Sequence, residues 1–152
     1  MSALKSLRSD WLVRLDRWGS LYARIALGAA FLSAVASRFG LWQGKPGLAH
    51  FAGFLDYTAE VNSFLPHAVT PFLAWAATVA ETLLGLLLIV GLWPRRTSLA
   101  AAILLAIFGT AMAISFGIKS PIDYSVFSAS GAAVLLALRD RRQEREQAPA
   151  AE

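Results

Sequence analysis

Long apolar runs alternate with short polar stretches along this chain of 152 residues. The clearest run extends from Pro71 to Trp93, PFLAWAATVAETLLGLLLIVGLW, and Glu81 is its only ionisable residue. A bilayer core about 30 Å thick is crossed by roughly 20 apolar residues in a helix. The run is long enough and therefore predicts a membrane-spanning helix.

Three further apolar runs predict three more spans. Residues 19–38 and 97–117 carry small residues at every fourth position, a pattern that lets helix backbones approach closely in lipid. Residues 124–138 form a shorter run. The sequence thus predicts an all-α integral membrane protein, with a bundle of four transmembrane helices within residues 19–138.

The stretches outside these runs predict other elements. In residues 1–18, apolar positions recur at spacings of three and four between basic residues, which is typical of an amphipathic helix lying at the membrane surface. An interrupted helical pattern within residues 39–66 predicts a short helix between the first two spans, ended by Pro66. Residues 139–152 are highly charged and predict a solvated tail.

Composition agrees with a membrane protein and excludes several kinds of chemistry. Only 16% of the residues are charged, against about 25% in soluble domains. The net charge of +4 does not indicate a nucleic-acid partner, because the cations stand at the ends of the apolar runs. The chain has no cysteine, which excludes disulfides, cysteine-ligated clusters and c-type haem. We expect no metal or haem.

The distribution of lysine and arginine predicts the orientation. Ten of them lie in the N-terminal segment, the turn after Trp93 and the C-terminal tail, whereas the three on the opposite side are Arg38, Lys45 and Lys119. Cytoplasmic loops carry the excess of these residues. Both termini are therefore predicted to be cytoplasmic.

Glu81 is the leading candidate for a functional residue. A charged side chain at the bilayer centre costs about 2.5–3.5 kcal/mol on insertion scales, so such residues face a bundle interior and mark functional or structural sites. Thr78, Thr82 and Gly85 lie within one helical turn of Glu81, on a face small and polar enough to meet other helices.

Arg24 is the one cation inside a predicted span, and Gly28 leaves room beside it one turn later. Counted from the cytoplasmic side at about 1.5 Å per residue, Arg24 lies less deep than Glu81. A helical side chain also leans toward the N-terminus of its own helix, which takes Arg24 toward the cytoplasm. The sequence leaves open whether the two residues pair, and whether they form a polar clamp or a ligand or proton site.

Two other groups are weaker candidates. Tyr124 and the serines that follow it could line a polar seam in the fourth span, although serines in membrane helices more often bond their own backbone. His50 and His67 have no third ligand at metal spacing and therefore do not indicate a metal site.

Three segments together resemble the DoxX family of small bacterial membrane proteins: LYARIALGAAFLSAVASRFG, AETLLGLLLIVGLWPRR and GIKSPIDYSVFSASGAAVLLAL. The resemblance covers roughly residues 20–138 and rests on the order and spacing of these pieces. It implies a four-helix bundle in the bacterial inner membrane, with the short helix between the first two spans on the periplasmic side.

The resemblance also implies a function, since some members are similar to the membrane subunit of thiosulfate:quinone oxidoreductase. Quinone is then the implied ligand, and a partner protein supplies electrons. Glu81 would exchange protons or bond a quinone oxygen, and Arg24 would stabilise the reduced anionic form. The residues expected around the ligand are Gly28, Thr78, Thr82, Gly85 and Tyr124.

Two other functions stay open at this point. The chain could pass a small solute or a proton along the face of Glu81, which for so few spans requires a homo-oligomer. It could instead be a scaffold whose basic N-terminal helix docks a soluble enzyme.

Overall fold

The computed structural model describes the backbone of residues 2–147 and the side chains of residues 11–144. Residues 2–147 contain six α-helices and no strand. The helices are α1 Ser2–Arg38, α2 Phe51–Val61, α3 Thr70–Val90, α4 Pro94–Phe116, α5 Lys119–Asp123 and α6 Val126–Gln147. Single 3₁₀ turns, Leu48–His50 and His67–Val69, precede α2 and α3.

Three of these helices are long and apolar enough to cross a membrane: Trp11–Arg38, His67–Val90 and Pro94–Phe116. They correspond to the first three predicted spans. The fourth predicted span, residues 124–138, lies largely in α6, whose second half is charged. The chain is an all-α membrane protein.

The turn between α3 and α4 is set by a glycine and a proline. Gly91 ends α3 with a φ of 78°, a left-handed conformation that glycine adopts without steric cost. Pro94 occupies the first turn of α4, where its missing N–H is not needed. The two helices therefore run antiparallel with only three residues between them.

The N-terminal segment differs from the sequence-based expectation of a separate surface helix over residues 1–18. The backbone continues as one helix from Ser2 to Arg38, without a break at residue 18. At 1.5 Å per residue this helix is about 55 Å long, well beyond the thickness of a bilayer core. Its N-terminal part is thus an extension of the first span.

The helices form two antiparallel pairs. In the first pair, α1 packs against α3, and Gly28 lies against Gly85. In the second pair, α4 packs against α6, and Gly109 lies against the ring of Phe127. One apolar cluster joins both pairs, and it contains Leu27, Phe31, Leu88, Ala101, Ala102, Ala133 and Leu136.

Charged residues tie the helices together at the end of the bundle that holds the α3–α4 turn. The ion pairs there are Arg24–Asp140 at 3.0 Å, Arg139–Asp16 at 2.8 Å and Arg95–Glu144 at 3.2 Å. The sequence analysis placed residues 139–152 in a solvated tail, but α6 continues to Gln147, and Asp140 is buried inside the bundle. Residues 148–152 lie outside the described part of the chain.

At the opposite end, α2 lies across the bundle and contacts α3 and α4. Its C-terminus is held by a hydrogen bond from Ser115 Oγ of α4 to the carbonyl oxygen of Val61, at 2.7 Å. This helix falls in the stretch where the sequence predicts a short helix. It closes one end of the space between the two helix pairs.

Candidate functional site

Glu81 is paired with Arg38, the last residue of α1. Arg38 Nη2 donates to both carboxylate oxygens of Glu81, at 2.7 and 2.8 Å. The side chain of Glu81 is only 3% exposed and that of Arg38 only 10% exposed. A charge-assisted pair of this kind allows a carboxylate to reside in the interior of a membrane bundle.

Arg38 is held by two further contacts. Its Nη1 donates to Thr78 Oγ1 at 3.0 Å, and Thr78 in turn donates to the carbonyl oxygen of Ala74 at 2.8 Å. The guanidinium also lies 3.7 Å from the ring centroid of Phe54 of α2, a cation–π contact. The pair is thus fixed by residues of three helices, α1, α2 and α3.

The register of α1 against α3 explains why Glu81 meets Arg38. Gly28 lies against Gly85, so in this antiparallel pair Arg38 starts about level with Trp75, since each helix rises 1.5 Å per residue. Its side chain leans toward the N-terminus of α1, that is, into the bundle. There it reaches Thr78 and Glu81.

The same register carries Arg24 away from Glu81. Arg24 leans toward the opposite end of the bundle, where its Nη1 lies close to Gly91. Its Nη2 donates to Asp140 Oδ1 at 3.0 Å, and the Asp140 side chain is 2% exposed. The two residues that the sequence analysis proposed as one site therefore belong to two separate ion pairs, at different depths in the bundle.

The Arg38–Glu81 pair borders a cavity of about 460 Å³ between the two helix pairs and beneath α2. Its wall is formed mainly by apolar side chains of α1, α3 and α4, among them Phe31, Leu73, Leu104, Phe108 and Met112. Of the residues whose side chains the structure describes, Arg38 and Glu81 are the only charged ones that line it. A mostly apolar cavity with a few polar groups at one place is the usual form of a small-molecule site.

Helix α2 and the residue directly after it add three polar residues to the wall: Tyr57, Thr58 and Asn62. Thr58 Oγ1 donates to the carbonyl oxygen of Phe54 at 2.7 Å, and Asn62 Nδ2 donates to that of Thr58 at 2.9 Å. Burial raises the pKa of the Tyr57 hydroxyl above its usual value, with smaller contributions from Tyr124 and Glu60. Tyr57 therefore stays a neutral hydroxyl, able to donate a hydrogen bond.

The other residues predicted around a ligand take different positions. Gly28 and Gly85 form the close contact between α1 and α3, and neither lines the cavity. Thr82 Oγ1 donates to the carbonyl oxygen of Thr78 at 2.7 Å, a bond from a side chain to the backbone within α3. Tyr124 is 75% exposed, at the end of α5. Of this set, Thr78 contacts the ion pair directly.

Sequence reasoning missed Arg38, Phe54 and Asp140. Arg38 was counted among the loop cations of one side, and Asp140 was placed in the tail. A helical side chain leans toward the N-terminus of its own helix, and this direction places Arg38 on the side of Glu81. It is therefore the signal in the sequence that could have identified Arg38. No comparable signal marks Phe54, because its contact depends on how α2 lies across the bundle.

Comparison with known protein families identifies a relationship for this chain. The family model of DoxX matches residues 19–117, which include α1 from Gly19 onward and all of α2, α3 and α4. The comparisons with curated proteins and with solved structures each return no match. The matched residues contain both Arg38 and Glu81, together with most of the cavity wall. With about two thirds of its length matched, the chain belongs to the DoxX family of membrane proteins.

Proposed function

We propose that this protein is the membrane subunit of an oxidoreductase system and that its cavity binds a quinone. The observation that carries the proposal is the buried Arg38–Glu81 pair at the wall of an apolar cavity, within the membrane-spanning part of the chain. Intramembrane ionisable residues at such a place are functional candidates by default.

The size of the cavity and the residues that line it are suited to a quinone. The volume of about 460 Å³ falls within the range of about 300–1,000 Å³ that is typical of ligand cavities. The apolar wall suits the ring and the hydrocarbon tail. Quinone oxygens accept hydrogen bonds, and the guanidinium of Arg38 and the hydroxyl of Tyr57 are donors at the cavity wall. When bound, a quinone would supply the redox chemistry by accepting electrons and protons.

The chain itself would bind, orient and exchange protons. Arg38, rather than Arg24, is the cation at the cavity, and it would donate a hydrogen bond to an oxygen of the bound ligand. Glu81 would hold or release a proton at Oε1 or Oε2, the two atoms that now accept from Arg38. Thr78 and Phe54 act as positioning residues, since both contact the Arg38 guanidinium.

The electrons would come from a partner protein. The chain has no cysteine and therefore offers no thiolate ligand for an iron–sulfur cluster. We further propose that the protein lies in the bacterial inner membrane, with α6 as a fourth span, α2 on the periplasmic side and both termini in the cytoplasm.

The test is lipid extraction and mass spectrometry of the protein purified in mild detergent. Removing one member of a buried pair leaves an unpaired charge, whereas replacing both members by apolar residues is often tolerated. The informative variant is therefore Arg38→Met with Glu81→Met. The matched control is Arg24→Met with Asp140→Met, which removes a second buried pair whose members do not line the cavity.

We expect near-stoichiometric quinone in the wild type and in the control, and its loss from the Arg38→Met, Glu81→Met protein. If folded wild-type protein carries no quinone, even after incubation with added quinone, the proposal is wrong. Equal amounts of quinone in all three proteins would place any quinone site elsewhere.

A further inference from the structure

The described wall of the cavity carries no net charge. Among the side chains of residues 11–144, Arg38 and Glu81 are the only charged ones in this wall, and both oxygens of Glu81 accept from Arg38. A ligand with a net charge would have no compensating partner in this apolar space, and burying an unpaired charge is very costly. A neutral ligand with polar oxygens meets no such cost, because Arg38 and Tyr57 can donate to it.

The cavity also reaches the outer surface of the bundle. Tyr57 of α2 and Ile107 of α4 line it and are nevertheless 43% and 58% exposed. Ala76 of α3 lines it and is exposed as well. These three residues lie on α2, α3 and α4, and the exposed part of the wall that they form is called the gap below. Ala30 and Ala34 of α1 also line the cavity and are exposed.

This surface faces the hydrocarbon of the bilayer. Both α3 and α4 are long and apolar enough to span a membrane. Apolar side chains next to the gap are exposed on the same helices: Phe72 at 74%, Ile103 at 53% and Ile114 at 62%. Large exposed apolar side chains on a membrane-spanning helix lie against lipid. The gap therefore connects the cavity with the lipid phase.

We propose that the ligand is a neutral, lipid-dissolved molecule that enters the cavity sideways from the bilayer, between α3 and α4. Its polar head lies at the Arg38–Glu81 pair, and its hydrocarbon tail passes between Ala76 and Ile107 into the lipid. The identity of the head as a quinone rests on the proposed function; the neutral charge and the lateral route rest on the geometry of the cavity.

The test uses the full-length protein in lipid nanodiscs. The first probes are a benzoquinone with a long isoprenoid tail and the same head group without the tail, and bound probe is quantified by mass spectrometry. The variant Ala76→Trp places a large side chain in the gap. The control Val79→Trp places the same side chain one turn further along α3, at a residue that is 52% exposed and does not line the cavity.

We expect Ala76→Trp to lower the occupancy of the long-tailed quinone about tenfold, which corresponds to 1.4 kcal/mol. Binding of the tail-less head group is expected to persist, which also shows that the variant is folded. Val79→Trp should bind both probes like the wild type. If Ala76→Trp binds the long-tailed quinone as well as the wild type does, the lateral route is wrong, while the proposed quinone site stands.

A second pair of probes separates the route from the identity of the head group. These probes are two photoreactive lipids with the same acyl chain. One has a neutral amide head group, and the other has a carboxylate head group. We expect the neutral lipid to label buried cavity residues such as Ala111 and Met112, with labelling reduced by Ala76→Trp and not by Val79→Trp.

If wild-type protein binds no quinone and the neutral lipid still labels these residues through the gap, the proposed function fails and the lateral route holds for another neutral ligand. Stronger labelling of the cavity by the carboxylate lipid would overturn the neutral-ligand proposal. No labelling of the cavity by either lipid, together with no quinone binding, would overturn the route.

Discussion

Arg38 is the single residue that connects most of the site. It donates to Glu81 and Thr78, it stacks on Phe54, and it lines the cavity. Arginine suits this position better than lysine, because its planar guanidinium can donate to several acceptors at once and also lie against a ring. A change at Arg38 therefore affects both the burial of Glu81 and the position of α2.

We predict that Arg38→Gln destabilises the protein by about 3–5 kcal/mol, because the carboxylate of Glu81 would stay buried without its partner. Replacing both residues, Arg38→Met with Glu81→Met, should restore most of that stability. The measurement is the unfolding midpoint of each purified protein in the same detergent. If the double variant is as unstable as Arg38→Gln, the loss comes from packing around Arg38 and not from the unpaired charge.

Among the helices, the pair α1 and α3 is held in register by two glycines. A Cβ atom added at Gly28 would lie 2.7 Å from Ile89 Cγ1 and 2.8 Å from the backbone oxygen of Gly85. Such distances leave no room for a side chain. Because Arg38 and Glu81 lie on these same two helices, this contact also determines whether their side chains meet.

We predict that Gly28→Ala destabilises the protein by about 1–3 kcal/mol, the usual cost of forcing atoms into a filled space. The matched control is Gly19→Ala in the same helix, where a Cβ atom would meet nothing within 4 Å. There alanine should stabilise the helix by up to about 1 kcal/mol. Unfolding midpoints measure both effects, and equal shifts of the same sign would contradict the close contact.

At the scale of the whole molecule, α6 follows α4 from one end of the bundle to the other. Phe127 packs on Gly109, Ser130 Oγ donates to the carbonyl oxygen of Ala102 at 2.8 Å, and Glu144 pairs with Arg95. The apolar part of α6, residues 126–138, is only about 20 Å long. Just beyond it, Arg139 pairs with Asp16 and Asp140 Oδ1 pairs with Arg24, so these charges can lie closer to the hydrocarbon than free charges could.

We predict that α6 crosses the membrane and that both termini lie on the same, cytoplasmic side. The measurement is the activity of a topology reporter fused after Gln147, compared with reporters at the N-terminus and near Gly117 in the loop between α4 and α5. The first two should report the cytoplasm, and the third the opposite side. If the reporters after Gln147 and at Gly117 lie on the same side, α6 does not cross.

Local patterns in the sequence predicted the three helices of membrane length and the position of Glu81 in the bundle interior. These patterns act through neighbouring residues, so they can be interpreted without the rest of the fold. They are the apolar runs of membrane length, the prolines in the first turns of helices, Pro71 and Pro94, and Gly91 after a helix. The free-energy cost of placing a carboxylate in lipid likewise depends on a single position in the sequence. The family resemblance also rested on such local motifs, and the match over residues 19–117 confirms it.

Only the tertiary structure decided which cation meets Glu81 and where the cavity lies. Arg38 is 43 positions away from Glu81, and the two meet because of the register at Gly28 and Gly85. Asp140 is 116 positions from Arg24, and their pairing requires α6 to return along the whole bundle. The cavity exists because the two helix pairs separate beneath α2, which depends on the packing of all four long helices, and no local pattern encodes that packing.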